Sequence, residues 1–453
     1  MVRDMTKGAP LGLILSFALP LALGNIFQQF YNMADTVIVG RFVGVTALAA
    51  VGATGSFSFL IIGFVNGLTS GFAISVAQCF GAGNHKELRG YAVNAVYLGA
   101  AVTGFLTLIT QLFTRQFLVW MQTPADIFES AYAYIIVIFG GLACTMLYNL
   151  LSAFLRALGD SKTPLMFLLL SSLTNVVLDL VLIVLFGMGV DGAAWATVIS
   201  QGLSGVLCLL FIRKRVPVLH IEKADLAPDL KKMRRLMGDG LPMALQFSIT
   251  AIGSVILQSA VNSLGTTVVA SVTAGTKVHQ LLSMPMNAIG ATAATYCGQN
   301  LGAQRIDRVR SGMRSIIAVM LTYGVISASL LVLFGANLSM LFLDEPTPEV
   351  FAYVRQLQRT WAMFYFPLGM TYVFRNSLQG LGYSFVAMVG GVGELIARSS
   401  VAFLLVGPFG FDGVCMANPV AWTAGTLMML PIYFRAMKKL DDKYSVRVPE
   451  KIN

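Results

Sequence analysis

The sequence has little charge and little cysteine. Only 11% of its 453 residues are Asp, Glu, Lys or Arg, whereas soluble domains have roughly 25%. Soluble enzymes, coiled coils and disordered segments all need more charge than this. The five cysteines are scattered and form no CxxC pair, which argues against a disulfide scaffold and a zinc site.

Motifs for nucleotide binding and hydrolysis are also absent. The sequence contains no GxxxxGK[ST], no HExxH and no GxSxG, which mark P-loop, zinc-protease and serine-hydrolase sites respectively. We therefore predict that the protein is not an enzyme and carries no cofactor. Its energy source would be an ion gradient or a partner chain.

Long apolar segments dominate the sequence. Hydrophobic residues make up 56% of it, and the mean hydropathy is +0.75. We count twelve apolar segments, from 11–39 to 411–434. Their length, about 20 residues or more, suits membrane-spanning helices rather than the roughly 10-residue alternating strands of a barrel. The sequence predicts an all-α integral membrane protein with twelve transmembrane helices.

Basic residues indicate the orientation. The net charge is +10, and most lysines and arginines lie between apolar segments. If the N-terminus is inside, only Arg41 and Arg115 fall in outward loops, as the positive-inside rule requires. We predict a multi-pass protein of the bacterial plasma (inner) membrane with both termini cytoplasmic. Its partners would be the lipid bilayer and small molecules, with no nucleic acid, and we expect a monomer.

The two halves of the sequence resemble each other. ALPLAL at 18–23 matches GLPMAL at 240–245, QCFGAGNHKELR at 78–89 matches QNLGAQRIDRVR at 299–310, and GVDGAAWA at 189–196 matches GFDGVCMA at 410–417. Six helices return the chain to the same side, so the repeats are parallel. We predict two six-helix bundles around a central cleft. The predicted parts are an N-terminal lobe 1–212, a cytoplasmic linker 213–238, a C-terminal lobe 239–436 and a cytoplasmic tail 437–453.

Two acidic residues fall within apolar helices of the first half. A charge at the bilayer centre costs roughly 2.5–3.5 kcal/mol by insertion scales, so Asp35 and Asp179 are functional candidates. Polar residues form one stripe on each of the first, fifth and sixth predicted helices: Gln28, Tyr31, Asn32, Ser171, Asn175, Thr197 and Gln201. Three such stripes predict a shared hydrated pocket, with Gln28, Tyr31, Asn32 and Gln201 as candidate substrate-cavity residues. Helix–helix contacts would explain the amides and hydroxyls, but not two carboxylates. We predict an ion site at Asp35 and Asp179.

The sequence leaves two alternatives for the identity of the ion at this site. Two neighbouring carboxylates in a low dielectric would bind a proton readily. With Asn175 and Thr197 they would also form an oxygen-only site, which hard cations such as Na⁺ prefer.

The second half has other candidates. Glu394 and Arg398 are spaced i, i+4, which favours a structural ion pair over substrate binding. Met284 and Met286 would suit a pliable substrate cavity, although methionine is common in apolar helices in any case. Pro20 and Pro242 hold equivalent positions in the two halves, where proline kinks a helix.

Several segments resemble the multidrug and toxic compound extrusion (MATE) family. They are YNMADTVIVGRFVG at 31–44, LRALGDSKTP at 155–164, TNVVLDLVLIVLFGMGVDGAAWATVISQ at 174–201 and the two QxxGA turns. The resemblance implies twelve helices in two lobes. It also implies a secondary active antiporter that exports amphipathic, often cationic drugs or toxins in exchange for inward H⁺ or Na⁺.

The resemblance also implies roles for individual residues. The family's cation site corresponds to Asp35, Asn175, Asp179, the backbone of Ala193, and Thr197, and its helix bend corresponds to Pro20. Tyr134 and Asn149 resemble cavity residues. One bacterial branch has further acids in its seventh and tenth helices, where this sequence has Gln258, Phe374 and Arg375. That departure favours coupling through the N-terminal lobe alone.

Other functions predict different residues. A lipid-linked oligosaccharide flippase of the same superfamily would need a cleft rich in Arg or Lys for a diphosphate, and the predicted helices offer only Lys277 and Arg398. A membrane enzyme would need a catalytic constellation. A channel more often builds its pore from several subunits than from a repeat within one chain.

Overall fold

Helices make up the fold. The computed structural model describes residues 2–343 and 347–445, and these contain no β-strand. The helices are α1 (Pro10–Ile38), α2 (Val45–Gly81), α3 (His85–Trp120), α4 (Phe128–Gly140), α5 (Leu142–Ala157), α6 (Lys162–Asp179), α7 (Val190–Arg215), α8 (Leu230–Asn262), α9 (Thr266–Gly302), α10 (Ile306–Met340), α11 (Pro348–Met363), α12 (Tyr365–Gly380), α13 (Ser384–Leu404), α14 (Val406–Phe409) and α15 (Phe411–Ser445).

These helices form twelve passes, as predicted. Within the described residues, eight helices are long and apolar enough to cross a membrane, and the pair α4 and α5, bent by 47°, would be a ninth. The remaining long helical segments are α9, α11 followed by α12, and α15, and with them the number of segments agrees with the predicted twelve. The bend between α4 and α5 falls at Gly141, where an added Cβ would lie 2.3 Å from the Val198 side chain.

The chain forms two compact units. The first contains Leu23–Phe247 with the first residues of the chain, and the second contains Met5–Ala22 and the part that follows Phe247. The first half of α1 therefore belongs to the second unit, and the first half of α8 belongs to the first. Our lobe boundaries, which follow chain order, stay a prediction.

Glycines on α2 explain why the start of α8 belongs to the first unit. Gly63, Gly67 and Gly71 are spaced four residues apart and form one helix face. An added Cβ at Gly71 would lie 2.4 Å from the Cα atom of Gly240, and one at Gly67 would lie 2.5 Å from the carbonyl oxygen of Met243. The two backbones touch directly, as small residues at four-residue spacing permit in membranes.

The predicted linker 213–238 is folded against α3. Helix α7 continues to Arg215, two short 3₁₀ turns follow at Pro217–Leu219 and Lys223–Leu226, and α8 begins at Leu230. Arg89 Nε donates to Asp225 Oδ2 over 2.6 Å, and the Glu222 backbone N–H donates to the same oxygen over 2.9 Å. These bonds, that from the Glu222 backbone first, lower the pKa of Asp225.

The glutamine of each QxxGA turn bonds to a residue far from it in the sequence. Gln299 Oε1 accepts from the backbone N–H of Met5 over 2.8 Å, within the second unit. Gln78 Oε1 accepts from Arg235 Nη2 over 2.6 Å, within the first. In the predicted tail 437–453, α15 continues to Ser445, and residues 446–453 lie outside the described residues.

Candidate ion-coupling site

The site is built from the second half of α1 together with α4, α6 and α7, all within the first unit. Asp179 and Asn175 on α6 are fully buried, each with 0% of its surface exposed. Asp35 on α1 is half-buried. Its carboxyl group lies close enough to that of Asp179 for the two to interact electrostatically. The structure thus brings the two predicted acids together.

Oxygen atoms at this site lack donors. Asp35 Oδ1, Asn175 Oδ1 and both carboxyl oxygens of Asp179 are buried, and the described residues provide no hydrogen-bond partner for them. Leaving a buried acceptor unpaired costs about 1–3 kcal/mol, and more when it is charged. Four such atoms on three neighbouring side chains would all be satisfied by a cation or by protons.

The amide of Asn175 has a defined orientation. Its Nδ2 donates to Thr197 Oγ1 on α7 over 3.3 Å. The other end of the amide, Oδ1, is therefore an acceptor left for the site. Ala193 lies one turn before Thr197 and is fully buried, so its backbone role stays a prediction.

Two tyrosines approach the acids. Tyr31 on α1 lies near Thr197, Asp35 and Asp179, and Tyr134 on α4 lies near the two acids and Tyr31. Tyr31 shares a helix face with Asp35, one turn away, and Tyr134 was singled out only through the family resemblance. The two rings add apolar surface around the carboxyl groups.

Both acid-bearing helices change to π geometry beside the site. Helix α1 gives way to a π-helical turn at Val39–Val43, and α6 gives way to one at Leu180–Leu185 directly after Asp179. Such turns are rare and often occur at functional sites. Nothing in the hydrophobic pattern predicted them, because a π turn shifts the helix phase by a single residue.

An apolar cluster lies beside the acids. Ile38 and Val39 pack with Ile183, Val190 and Ala193, and all five are at most 9% exposed. Apolar surroundings strengthen electrostatic interactions. This cluster therefore increases the energetic consequence of adding or removing a cation at Asp35 and Asp179.

The other predicted cavity residues differ in exposure. Gln28 and Asn32 are exposed on α1, while Asn149 and Gln201 are half-buried in the first unit. In the second unit Met284 is half-buried, but Met286 has 0% exposure and belongs to the hydrophobic core. Met286 is thus packed in the core in this structure, and its place in a substrate cavity stays a prediction.

The predicted ion pair has a different partner. Glu394 on α13 is paired with Arg375 of α12, rather than with Arg398 four residues along its own helix. Arg398 lies instead against Gly253 of α8, where an added Cβ would be 2.8 Å from Arg398 Nη1. The i, i+4 spacing predicts a pair within α13, but the packing of α12 against α13 brings Glu394 to Arg375 instead.

Comparison with known proteins identifies the family. The family model MatE matches residues 20–181 and again 242–404, in agreement with the internal repeat. The chain belongs to the MatE family. It is a multi-pass membrane transporter, as the fold and this membership together show.

Relatives agree with this assignment. The chain is 29% identical over 77% of its length to a "Probable multidrug resistance protein YoeA" of Bacillus subtilis, of which 77% is covered. It is 28% identical over 84% of its length to "Probable multidrug resistance protein YpnP" of the same organism, of which 84% is covered. A solved structure described as the outward-facing conformation of a multidrug resistance MATE family transporter matches with a TM-score of 0.91 at 21% identity, covering 96% of this chain and 98% of that one.

Proposed function

We propose that this MatE-family protein is a cation-coupled antiporter that exports amphipathic, often cationic compounds. The observation that carries the proposal is the pair Asp35 and Asp179, held together inside the first unit with unpaired buried oxygens. A binding site for H⁺ or Na⁺ needs such acceptors. The multidrug relatives support the substrate class, and they do not favour the flippase alternative.

The coupling follows from electrostatics. With no cation present, the two carboxylates repel each other and their oxygens lack partners, so the arrangement in the structure is destabilised. A proton shared between them, or a Na⁺ held with Asn175 Oδ1 and Thr197 Oγ1, removes that cost. Cation binding thus favours one packing of α1 and α6 over another.

Pro20 gives α1 a position at which the helix can bend when the cation binds. It lies inside the helix, two residues before α1 passes from the second unit to the first. Proline removes one backbone hydrogen bond from a helix, so bending there costs little. We assign Pro20 to the bend that follows the cation.

Transport into liposomes tests the proposal. The protein is reconstituted, and movement of the lipophilic cation rhodamine 123 is followed under an imposed pH gradient and then under an imposed Na⁺ gradient. We expect one gradient to drive transport in the wild type, and the gradient that works identifies the ion. Asp35→Asn and Asp179→Asn should each reduce transport to the level of empty liposomes.

The exposed Asp126 offers a matched control. Asp126→Asn removes the same charge outside the site and should leave transport unchanged. Wild-type transport rates in either site variant, at equal protein content, would refute the assignment of the coupling site. In the cell we place the protein in the bacterial plasma membrane with cytoplasmic termini, acting as a monomer.

A further inference from the structure

The second unit contains an unbalanced positive cluster. Arg375 and Arg398 are each 8% exposed, and Glu394 is the only acidic residue between Glu349 and Asp412 in the sequence. Tyr372 lies near both guanidinium groups, and these lie near each other. Two buried cations therefore lie near each other, and the single carboxylate of Glu394 pairs with Arg375 alone.

Donor atoms in this cluster are unpaired. Arg375 Nε and Arg398 Nε are buried, and the described residues provide no hydrogen-bond acceptor for either. Arginine does not lose its proton in proteins, so this charge persists at any working pH. An uncompensated buried charge is costly, and a bound anion would remove that cost.

Two glycines leave space for the charged side chains. Gly253 on α8 faces Arg398, and Gly425 on α15 faces Glu394, where an added Cβ would lie 2.7 Å from Oε1. Any larger residue at either position would displace the charged side chain from its position. The local sequence is therefore suited to hold these groups inside the unit.

From this geometry we infer that Arg375 and Arg398 bind the carboxylate of an amphipathic substrate, with Glu394 fixing the Arg375 side chain. One net positive charge matches a monoanion, and the planar guanidinium fork fits a carboxylate. This inference rests on the proposed export function, and it extends the substrate class to zwitterionic and anionic amphiphiles.

The depth of the cluster argues for a substrate rather than a lipid headgroup. Glu394 and Arg398 lie near the middle of α13, which runs from Ser384 to Leu404. At 1.5 Å per residue they are about 15 and 21 Å from the start of the helix. Headgroups stay at the membrane surface, so an anion at this depth arrives on a molecule that enters the protein.

Two dyes that differ in one group test the inference. Rhodamine 110 carries a free carboxylate, and rhodamine 123 is its methyl ester. Binding of each dye to the purified protein in phosphatidylcholine nanodiscs is measured by fluorescence anisotropy. We expect the wild type to bind rhodamine 110 about tenfold more tightly. Arg398→Gln should remove that preference by weakening rhodamine 110 alone.

Arg359 provides the matched control. It is an exposed arginine of the same unit, and Arg359→Gln should keep the full preference for rhodamine 110. Equal binding of the two dyes by the wild type would overturn the inference. So would an equal loss of both dyes in Arg398→Gln, which would show a general effect on the fold.

Benzoate keeps the inference testable if Arg398→Gln does not fold. In the wild type, benzoate should compete with rhodamine 110 and leave rhodamine 123 in place, and the absence of selective competition would overturn the inference. Repeating the measurement with phosphatidylglycerol nanodiscs checks the source of the anion. Loss of the dye preference only in that lipid would assign the cluster to a headgroup and overturn it as well.

The experiments distinguish failure of the anion-site inference from failure of the proposed export function. If gradients drive rhodamine 123 transport through Asp35 and Asp179 but both dyes bind equally, the antiporter stands and the anion site is wrong. If rhodamine 110 binding depends on Arg398 but no gradient drives transport, the anion site stands and the coupling proposal is wrong.

Discussion

The interiors of the two repeats carry opposite chemistry. In the first unit, Asp35 and Asp179 present buried acceptors without donors, whereas in the second unit Arg375 and Arg398 present buried donors without acceptors. The helix order and the QxxGA turns are common to both halves. The two halves thus share a scaffold, whereas the buried polar residues inside them differ in the sign of their charge.

Removing the carboxylate of Glu394 in the second unit should have the largest effect on stability. Glu394→Gln leaves Arg375 and Arg398 without a counter-charge, so we expect the free energy of unfolding to fall by about 3–5 kcal/mol. Thermal unfolding in detergent measures this loss. The double variant Glu394→Gln with Arg375→Gln should recover part of it.

A surface pair sharpens this prediction. Glu129 pairs with Arg115 over 2.9 Å, but the two side chains are 71% and 57% exposed. Glu129→Gln should therefore cost no more than about 1 kcal/mol. If Glu129→Gln and Glu394→Gln lower the free energy of unfolding by similar amounts, Glu394 does not act as a buried counter-charge.

The glycine face of α2 predicts the next largest effect. Gly71→Leu forces the backbones of α2 and α8 apart, and we expect the unfolding free energy of the protein to fall by about 1–3 kcal/mol. Gly55→Leu is the control, since an added Cβ there meets nothing within 4 Å. Equal unfolding temperatures for the two variants would show that this contact is not needed.

The segment between the repeats should respond to acid. Its hydrogen bonds lower the pKa of Asp225. The stability that Asp225 gives to the folded segment is therefore fully present above its ordinary pKa of 3.8, and it is lost as the pH falls through the lowered pKa. At pH 7, Asp225→Asn should raise hydrogen exchange of residues 217–229 about tenfold.

Glu222 supplies the comparison for that measurement. It pairs with the same Arg89 over 3.1 Å but is 68% exposed, so Glu222→Gln should change exchange only slightly. If Glu222→Gln and Asp225→Asn raise exchange equally, the bonds to Asp225 do not hold the segment.

The smallest effect concerns one turn residue. Gln304 has a φ of 58°, and Gly83 at the equivalent position of the first repeat has 68°. Glycine adopts such angles without strain, so Gln304→Gly should stabilise the protein, by about 0.5–1 kcal/mol at most. Gly83→Gln should have the opposite effect on the unfolding temperature, and a destabilising Gln304→Gly would refute the argument.

Much of the fold could be predicted because membrane helices need long apolar segments. Eight or nine of the passes are long and apolar enough to follow from hydropathy alone, and the repeat follows from matched turns such as QCFGAGNHKELR. The exchange of helix halves between the units could not be predicted. It depends on close backbone contact between α2 and α8, and the spacing of Gly63, Gly67 and Gly71 shows a packing face without naming its partner.

The candidate site was predictable in part for the same kind of reason. Asp35 and Asp179 are conspicuous because charge is costly in a membrane, and helical spacing aligned Asn175 with Asp179. The partner of Glu394 was missed because i, i+4 spacing describes one helix, whereas Arg375 comes from another. The π turns after the acids leave no mark on the pattern of residue types.

The division of α8 between the units has a consequence for synthesis of the chain. The first unit includes residues up to Phe247, so it cannot be completed when the sixth pass, α7, leaves the ribosome. It must wait for the first half of α8, which packs on the glycines of α2. A gene fragment that stops at residue 215 would encode every helix of the first repeat, yet its product would lack part of its own core.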